Sequence, residues 1–255
     1  MITIENERMK EIPLLHIVDQ ERQREKLPFI IFVHGFRSVK ENNLHYAYYL
    51  AQKGFRVILP EALHHGERNA GLSGHDLNIH FWDVVLQSID ELAILKDAYE
   101  EQQLIDPSRI GVAGTSMGGI VTLGALTRYP WIKAATSLMG MPYYEKFASW
   151  QIDEMKKQGL EIPIEEDELS QLMLRLKELD LSLQPEKLQN RPLLFWHGKK
   201  DPIVPFPSTY HFYETIKPLY QNDREKLQFI IDEKAGHKVS VEGVAQTVRW
   251  FETFV

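Results

Sequence analysis

Residues 109–121 read RIGVAGTSMGGIV. A short apolar run, Arg109 to Ala113, enters Gly114-Thr115-Ser116-Met117-Gly118, and small residues then continue to about Arg128, ahead of Pro130. The pattern predicts a strand, a sharp turn and a helix. The spacing Gly-x-Ser-x-Gly at such a junction fits a nucleophile elbow, in which the turn presents the serine Oγ. Glycines flanking the serine let strand and helix approach without Cβ clashes. The next amide, that of Met117, opens the helix, where developing negative charge is favoured. The plainer alternative is a Gly-rich turn before a helix; the strand-turn-helix context favours the nucleophile.

Working outward, Ile12 to Val18, Phe29 to Val33, Phe55 to Leu59, Lys133 to Met139, Leu193 to Trp196 and Leu227 to Ile231 are β-branched or aromatic runs with little polar alternation. Such runs suit strands buried on both faces of a sheet. Between them lie helical stretches: Glu41 to Lys53 with Gly54 as its stop, a long helix from about His75 to Gln102, and a final amphipathic helix carrying Val244, Val248 and Phe251. Asp106-Pro107-Ser108 reads as a turn. Alternation of strand and helix predicts an α/β fold: a mostly parallel central sheet with helices on both faces. The strand rhythm lapses from 141 to 190. There Leu169, Leu172, Met173, Leu176 and Leu179 share one helical face. Residues 1–140 and 191–255 are therefore expected to form the core, and 141–190 a helical cap insertion. Within it, Tyr143, Tyr144, Phe147 and Trp150 are candidate walls of a substrate pocket, or simply packing for the cap.

Serine needs a base. His237, in Ala235-Gly236-His237 after the last strand, has the placement required of one. Two aspartates compete to orient it. Asp201 follows the strand Leu193 to Trp196, in a loop stiffened by Pro202 and Pro205. Asp232 stands five residues before the histidine, in a charged turn with Glu233 and Lys234. A triad acid must reach the imidazole nitrogen that faces away from the serine, which favours the neighbouring loop and Asp201. An oxyanion site needs two preorganised N–H donors; Met117 and Phe36, in His34-Gly35-Phe36 after a central strand, are the candidates. His34 and His197 each precede a glycine at a strand end and read as structural, and His211 as a helix residue. His64, His65, His75 and His80 lack the spacing and carboxylate pattern of a metal site, so none is assigned.

The chain has 255 residues, a net charge of −7 and no cysteine. The acidic balance argues against nucleic-acid and anionic-membrane partners. The absence of cysteine excludes thiolate nucleophiles and disulfides. The N-terminus has no signal-like apolar segment, and the longest apolar run is far too short to span a bilayer. A cytoplasmic enzyme acting on a small molecule is the expectation.

Taken in order, HGF (34–36), GTSMGG (114–119), HGKKDPIVP (197–205) and AGH (235–237) resemble the α/β-hydrolase superfamily across essentially the whole chain. The loop PEALHHGERN, the helix HFWDVVLQSIDEL and the turn DPSRI are similar to those of small bacterial carboxylesterases near the prolyl-oligopeptidase-like and dienelactone-hydrolase branches. The resemblance implies ester hydrolysis without a cofactor, beneath a cap. Dienelactone hydrolases proper use a cysteine nucleophile, and this chain has none, so that activity is not carried over; nor is the size gating of a β-propeller. A small serine peptidase or amidase is the alternative within hydrolases. A non-catalytic binding module on this fold is the alternative outside them.

Overall fold

The computed structural model describes residues 1–72, 74–157, 159 and 165–255, with the backbone only of His75. Eight strands form one sheet in the order β1-β2-β4-β3-β5-β6-β7-β8. Strands β3 (Leu27–Val33), β4 (Arg56–Pro60), β5 (Ile105–Thr115), β6 (Ala134–Leu138), β7 (Leu193–Gly198) and β8 (Leu227–Asp232) run parallel. Strands β1 (Ile2–Met9) and β2 (Ile12–Asp19) add an antiparallel hairpin at one edge. The chain goes from β3 to β4 on one side and returns to β5 on the other. The carboxyl ends of β3 and β5 are thus the point where winding reverses and a ligand crevice opens.

Strand β3 shows why both faces are covered. Phe29, Ile31 and Val33 point into one apolar cluster, with α3 (Phe81–Glu101) and α4 (Met117–Arg128). Ile30 and Phe32 point into a second, with α1 (Leu44–Gln52) and α8 (Val241–Phe254). Period-two alternation gives each cluster half of every strand, so a continuous apolar run is what a doubly covered strand requires.

Three elements depart from the sequence reading. Strand β1 was not expected: its turn, Lys10-Glu11, holds both residues at positive φ (49° and 67°) without the glycine or asparagine that advertises such a hairpin. The helix expected from His75 to Gln102 is broken at His80 (ψ 8°) into α2 (Gly74–Ile79) and α3. Strand β5 starts at Ile105 rather than Arg109. The Asp106-Pro107-Ser108 bend, with Asp106 Oδ1 accepting the Ser108 amide at 2.9 Å, lies inside it, at a shift of register against β3.

Between β6 and β7 the chain forms α5 (Tyr144–Lys157) and α6 (Glu166–Leu179); α7 (Phe206–Ile216) follows β7. Leu176 and Leu179 are buried, while Leu172 and Met173 are half-buried against the core. Buried Asp180 closes the insertion on itself: Oδ2 accepts the Glu145 amide at the start of α5, and Oδ1 accepts the Ser182 amide. Trp82 of α3 donates to Gln151 of α5 at 2.9 Å, tying insertion to core.

The tightest contact is at the head of α4. A Cβ on Gly118 would stand 2.0 Å from the Val33 carbonyl oxygen, and one on Gly114 2.3 Å from the Gly118 carbonyl carbon. These neighbours are backbone and cannot swing aside. Gly118→Ala is therefore expected to lower the unfolding free energy by at least about 1–3 kcal/mol, as overpacking does; urea unfolding of the variant checks it.

Candidate active site

Ser116 caps α4 at the carboxyl end of β5, with φ 54° and ψ −114°. This positive-φ conformation is costly for a residue with a side chain. It is held by the glycine contacts beneath it and by the Ser116 amide donating to the Leu138 carbonyl at 2.8 Å. The strained turn lifts Oγ out of the sheet into the crevice.

His237 lies in the loop after β8. Its Nδ1 donates to Asp201 Oδ2 at 2.7 Å, which leaves Nε2 to accept the Ser116 hydroxyl at 2.8 Å. The acid loop after β7 and the histidine loop are joined by backbone bonds, Lys199 N–H to Asp232 O at 2.8 Å and Lys200 N–H to Ala235 O at 3.0 Å. The Asp201 side chain is fully buried. Its Oδ1 accepts the Ile203 and Val204 amides; His197 Nε2 donates to the Val204 carbonyl at 3.0 Å and lies 3.3 Å from Asp201 Oδ2. Burial pushes this carboxyl up, but the bonds from His197, His237 and the two amides outweigh it and hold the group well below the usual carboxylate range. The competing Asp232 is spent on its own turn, where Oδ1 accepts the Lys234 and Ala235 amides.

Among the described residues, no hydrogen bond takes up the amide N–H of Met117 or of Phe36. Gly35 packs against the elbow: a Cβ there would lie 3.4 Å from the Thr115 carbonyl oxygen, close but not forbidden. His34, wholly buried, donates from Nδ1 to the Gly35 carbonyl at 2.8 Å.

Ser116 and His237 open into a cavity of about 460 Å³, lined by apolar groups that include Phe36, Phe81, Trp82, Ile120, Phe147 and Leu172. Of the four aromatics proposed as pocket walls, Phe147 and Trp150 line this cavity, their rings stacked 5.6 Å apart at 11°. The other two do not line it. Tyr144 is buried in the core, and its hydroxyl donates to the Ile120 carbonyl. Tyr143 lines an adjoining groove with Lys146 and His211. Helical spacing groups such residues by face but does not tell which turn reaches Ser116.

Of the histidines weighed as ligands, His65 and His80 have other partners. His65 uses both ring nitrogens on backbone groups, His80 pairs with Asp83 at 3.0 Å, and the His64 ring stands 5.2 Å from that of His80; the His75 side chain lies outside the described residues. Among the described residues, one group, Glu5, Glu7 and His16 in the edge hairpin, brings three ligand-type side chains together. There Arg56 donates to His16 Nε2 at 2.6 Å and His16 Nδ1 donates to Glu7 at 2.7 Å, so both ring nitrogens are occupied.

The reversal of winding, the strained serine at it and the histidine bonded to that serine mark the class: a serine hydrolase of the α/β-hydrolase fold. The chain belongs to the Prolyl oligopeptidase family, whose sequence profile matches residues 42–255. It is 56% identical over 255 residues to YitV of Bacillus subtilis (strain 168), whose name assigns it provisionally to the esterases, with both chains covered in full. It is 33% identical over 227 residues to the esterase YjfP of Escherichia coli (strain K12), covering 89% of this chain and 88% of that one. The solved structure of TT1662 from Thermus thermophilus shares the fold at a TM-score of 0.75 and 20% identity, over 99% of this chain and 98% of that one.

Because the folded Asp201 carboxyl is depressed, its ionised form stabilises the native state at every pH above the unfolded value near 4, and that contribution is lost only as pH falls through the lower folded value. The stabilisation that wild type has over Asp201→Asn is thus expected to persist from about pH 5 to 8 and to shrink below about pH 4. Scanning calorimetry across that range checks it; shrinkage already at neutral pH would contradict the assignment.

Proposed function

We propose that this chain is a carboxylesterase that hydrolyses small, short-acyl esters through Ser116, His237 and Asp201 by way of an acyl-enzyme. The carrying observation is His237 bonded to both Ser116 Oγ and Asp201 Oδ2 at the floor of an apolar cavity. In this reading His237 Nε2 takes the Ser116 proton as Oγ attacks the ester carbonyl, and the oxyanion is received by the Phe36 and Met117 amides. The intermediate collapses, His237 protonates the departing alcohol, and a water deprotonated by the same nitrogen attacks the acyl carbonyl to free the acid and Ser116. Asp201 keeps the imidazole in the required tautomer and stabilises its cation. The insertion at 141–190 serves as the cap, its Phe147–Trp150 pair bounding the space for the acyl chain. Nothing in these steps calls for a cofactor or metal. The reading also places the enzyme in the cytoplasm; the cysteine-free sequence fits a reducing compartment, and among the described residues no helix is long and apolar enough to cross a membrane.

The family's name favours a second reading, amide or peptide cleavage by the same residues. Turnover of a short-chain ester against its matched amide separates the two: hydrolysis of the ester alone supports the first, and faster hydrolysis of the amide replaces it with the second.

With a short-chain ester, Ser116→Ala is expected to lower kcat by about 10⁶-fold and to abolish fluorophosphonate labelling. Asp201→Asn should lower kcat by about 10⁴-fold, and Asp232→Asn should stay within a few-fold of wild type. Steady-state kinetics of the three variants checks the assignment, and a reversed order for the two aspartates would move the acid to Asp232.

Trp150 is 46% exposed, so its removal takes little from the core. Trp150→Ala is expected to shift the optimum towards longer acyl chains with little change in melting temperature. A panel of p-nitrophenyl esters of increasing chain length checks this; an unchanged optimum with a lowered melting temperature would make the residue packing alone.

A further inference from the structure

The loop carrying Phe36 is held from outside its own strand. His65, in the segment between β4 and α2, is 3% exposed. Its Nδ1 donates to the Leu63 carbonyl at 2.8 Å, so this nitrogen carries the proton and Nε2 presents a lone pair. That lone pair accepts the Arg37 amide at 2.9 Å. The ring also packs edge-on against the Phe36 ring, with centroids 5.4 Å apart. Arg37 sits at φ 59°, a left-handed conformation that a residue with a side chain keeps only when its surroundings impose it. Released, the Phe36–Arg37 peptide would rotate towards ordinary angles and pull on the adjoining Gly35–Phe36 peptide, which carries the Phe36 N–H. His65 is itself anchored, its amide donating to Ala62 and its carbonyl accepting from Arg68. Burial, together with the nearby His34 and His64, pushes the imidazole down and keeps it neutral, as an acceptor must be.

We propose that His65 is a positioning residue for the oxyanion site: by accepting the Arg37 amide it fixes the Phe36 N–H in the direction of the substrate carbonyl. This rests on the reading of Phe36 as an oxyanion donor. The Gly35 carbonyl, gripped by His34 Nδ1 and the Ser38 amide, holds one side of the Gly35–Phe36 peptide, the plane that also carries the Phe36 N–H; His65 holds the next peptide at Arg37, so that Phe36 is secured on both sides.

Two variants separate the role from packing. His65→Asn keeps a donor for the Leu63 carbonyl but has nothing at the position of Nε2. His65→Gln reaches that position with an amide oxygen. Both are assayed with a short-chain ester, with the trifluoromethyl ketone of matching chain, and with its methyl ketone. The trifluoromethyl ketone forms a hemiketal: the Ser116 Oγ–carbon bond forms, the serine proton passes to His237, and the carbonyl π pair becomes the oxyanion. The methyl ketone reports filling of the cavity without the adduct. For His65→Asn, kcat and trifluoromethyl ketone affinity are expected to fall together by roughly 10- to 100-fold, less than outright loss of a donor. KM and methyl ketone affinity should hold, and His65→Gln should restore most of the loss. Equal behaviour of the two variants, or wild-type kcat with only a lowered melting temperature, overturns the role of His65. A wild type that turns over no ester and forms no hemiketal overturns the ester reading and this role with it.

Discussion

The arrangement rests on the contact between the head of α4 and the ends of β3 and β5. Gly118 lies against the Val33 carbonyl, and Gly114 against the Gly118 backbone, at separations that no side chain would permit. That closeness leaves the linking residue too little room for ordinary angles, so Ser116 takes positive φ and its Oγ projects from the sheet. It also brings the free amide at the start of α4 beside the loop leaving β3. The Ser116 hydroxyl and these amides are therefore set by one constraint of backbone packing, before any side-chain interaction is added.

Electrostatics supplies the second layer. A buried carboxylate is stable only if its lone pairs are met. Asp201 meets this with two backbone amides on one oxygen and His237 on the other, with His197 close by. The donors come from its own loop and from the next, and the two loops are zipped together by main-chain bonds. The imidazole consequently stands between a fixed anion and a fixed hydroxyl, with little reorganisation left to perform.

Much of this was legible in the sequence, because the governing features leave local marks. Uniformly apolar runs gave away strands covered on both faces, and the spacing of Gly114, Ser116 and Gly118 announced the turn. Ser116, His237 and Asp201, from three separate motifs, are bonded in series. Less was legible where tertiary context decides. Lys10 and Glu11 form a hairpin turn without turn-forming residues, held by the pairing of β1 with β2. His80 interrupts a helix whose composition would continue it. Tyr143 and Tyr144 share the aromatic signature of Phe147 and Trp150, yet only the latter pair reaches the cavity. The contact of His65 with Arg37 spans two loops, and nothing in either segment foretells it.

The Asp180 closure of the insertion has a consequence for descent and for design. One carboxylate ties the start of α5 to the end of α6, so the two ends of this helical segment are held close together. The entropy of closing a loop grows only with the logarithm of its length. A segment of another length can therefore be closed at the same two points for little entropy, so long as it also covers the core surface that Tyr144, Phe147 and Leu176 now bury. An ancestral scaffold could diversify its specificity by swapping this module, and a protein engineer could graft a foreign one at the same two points.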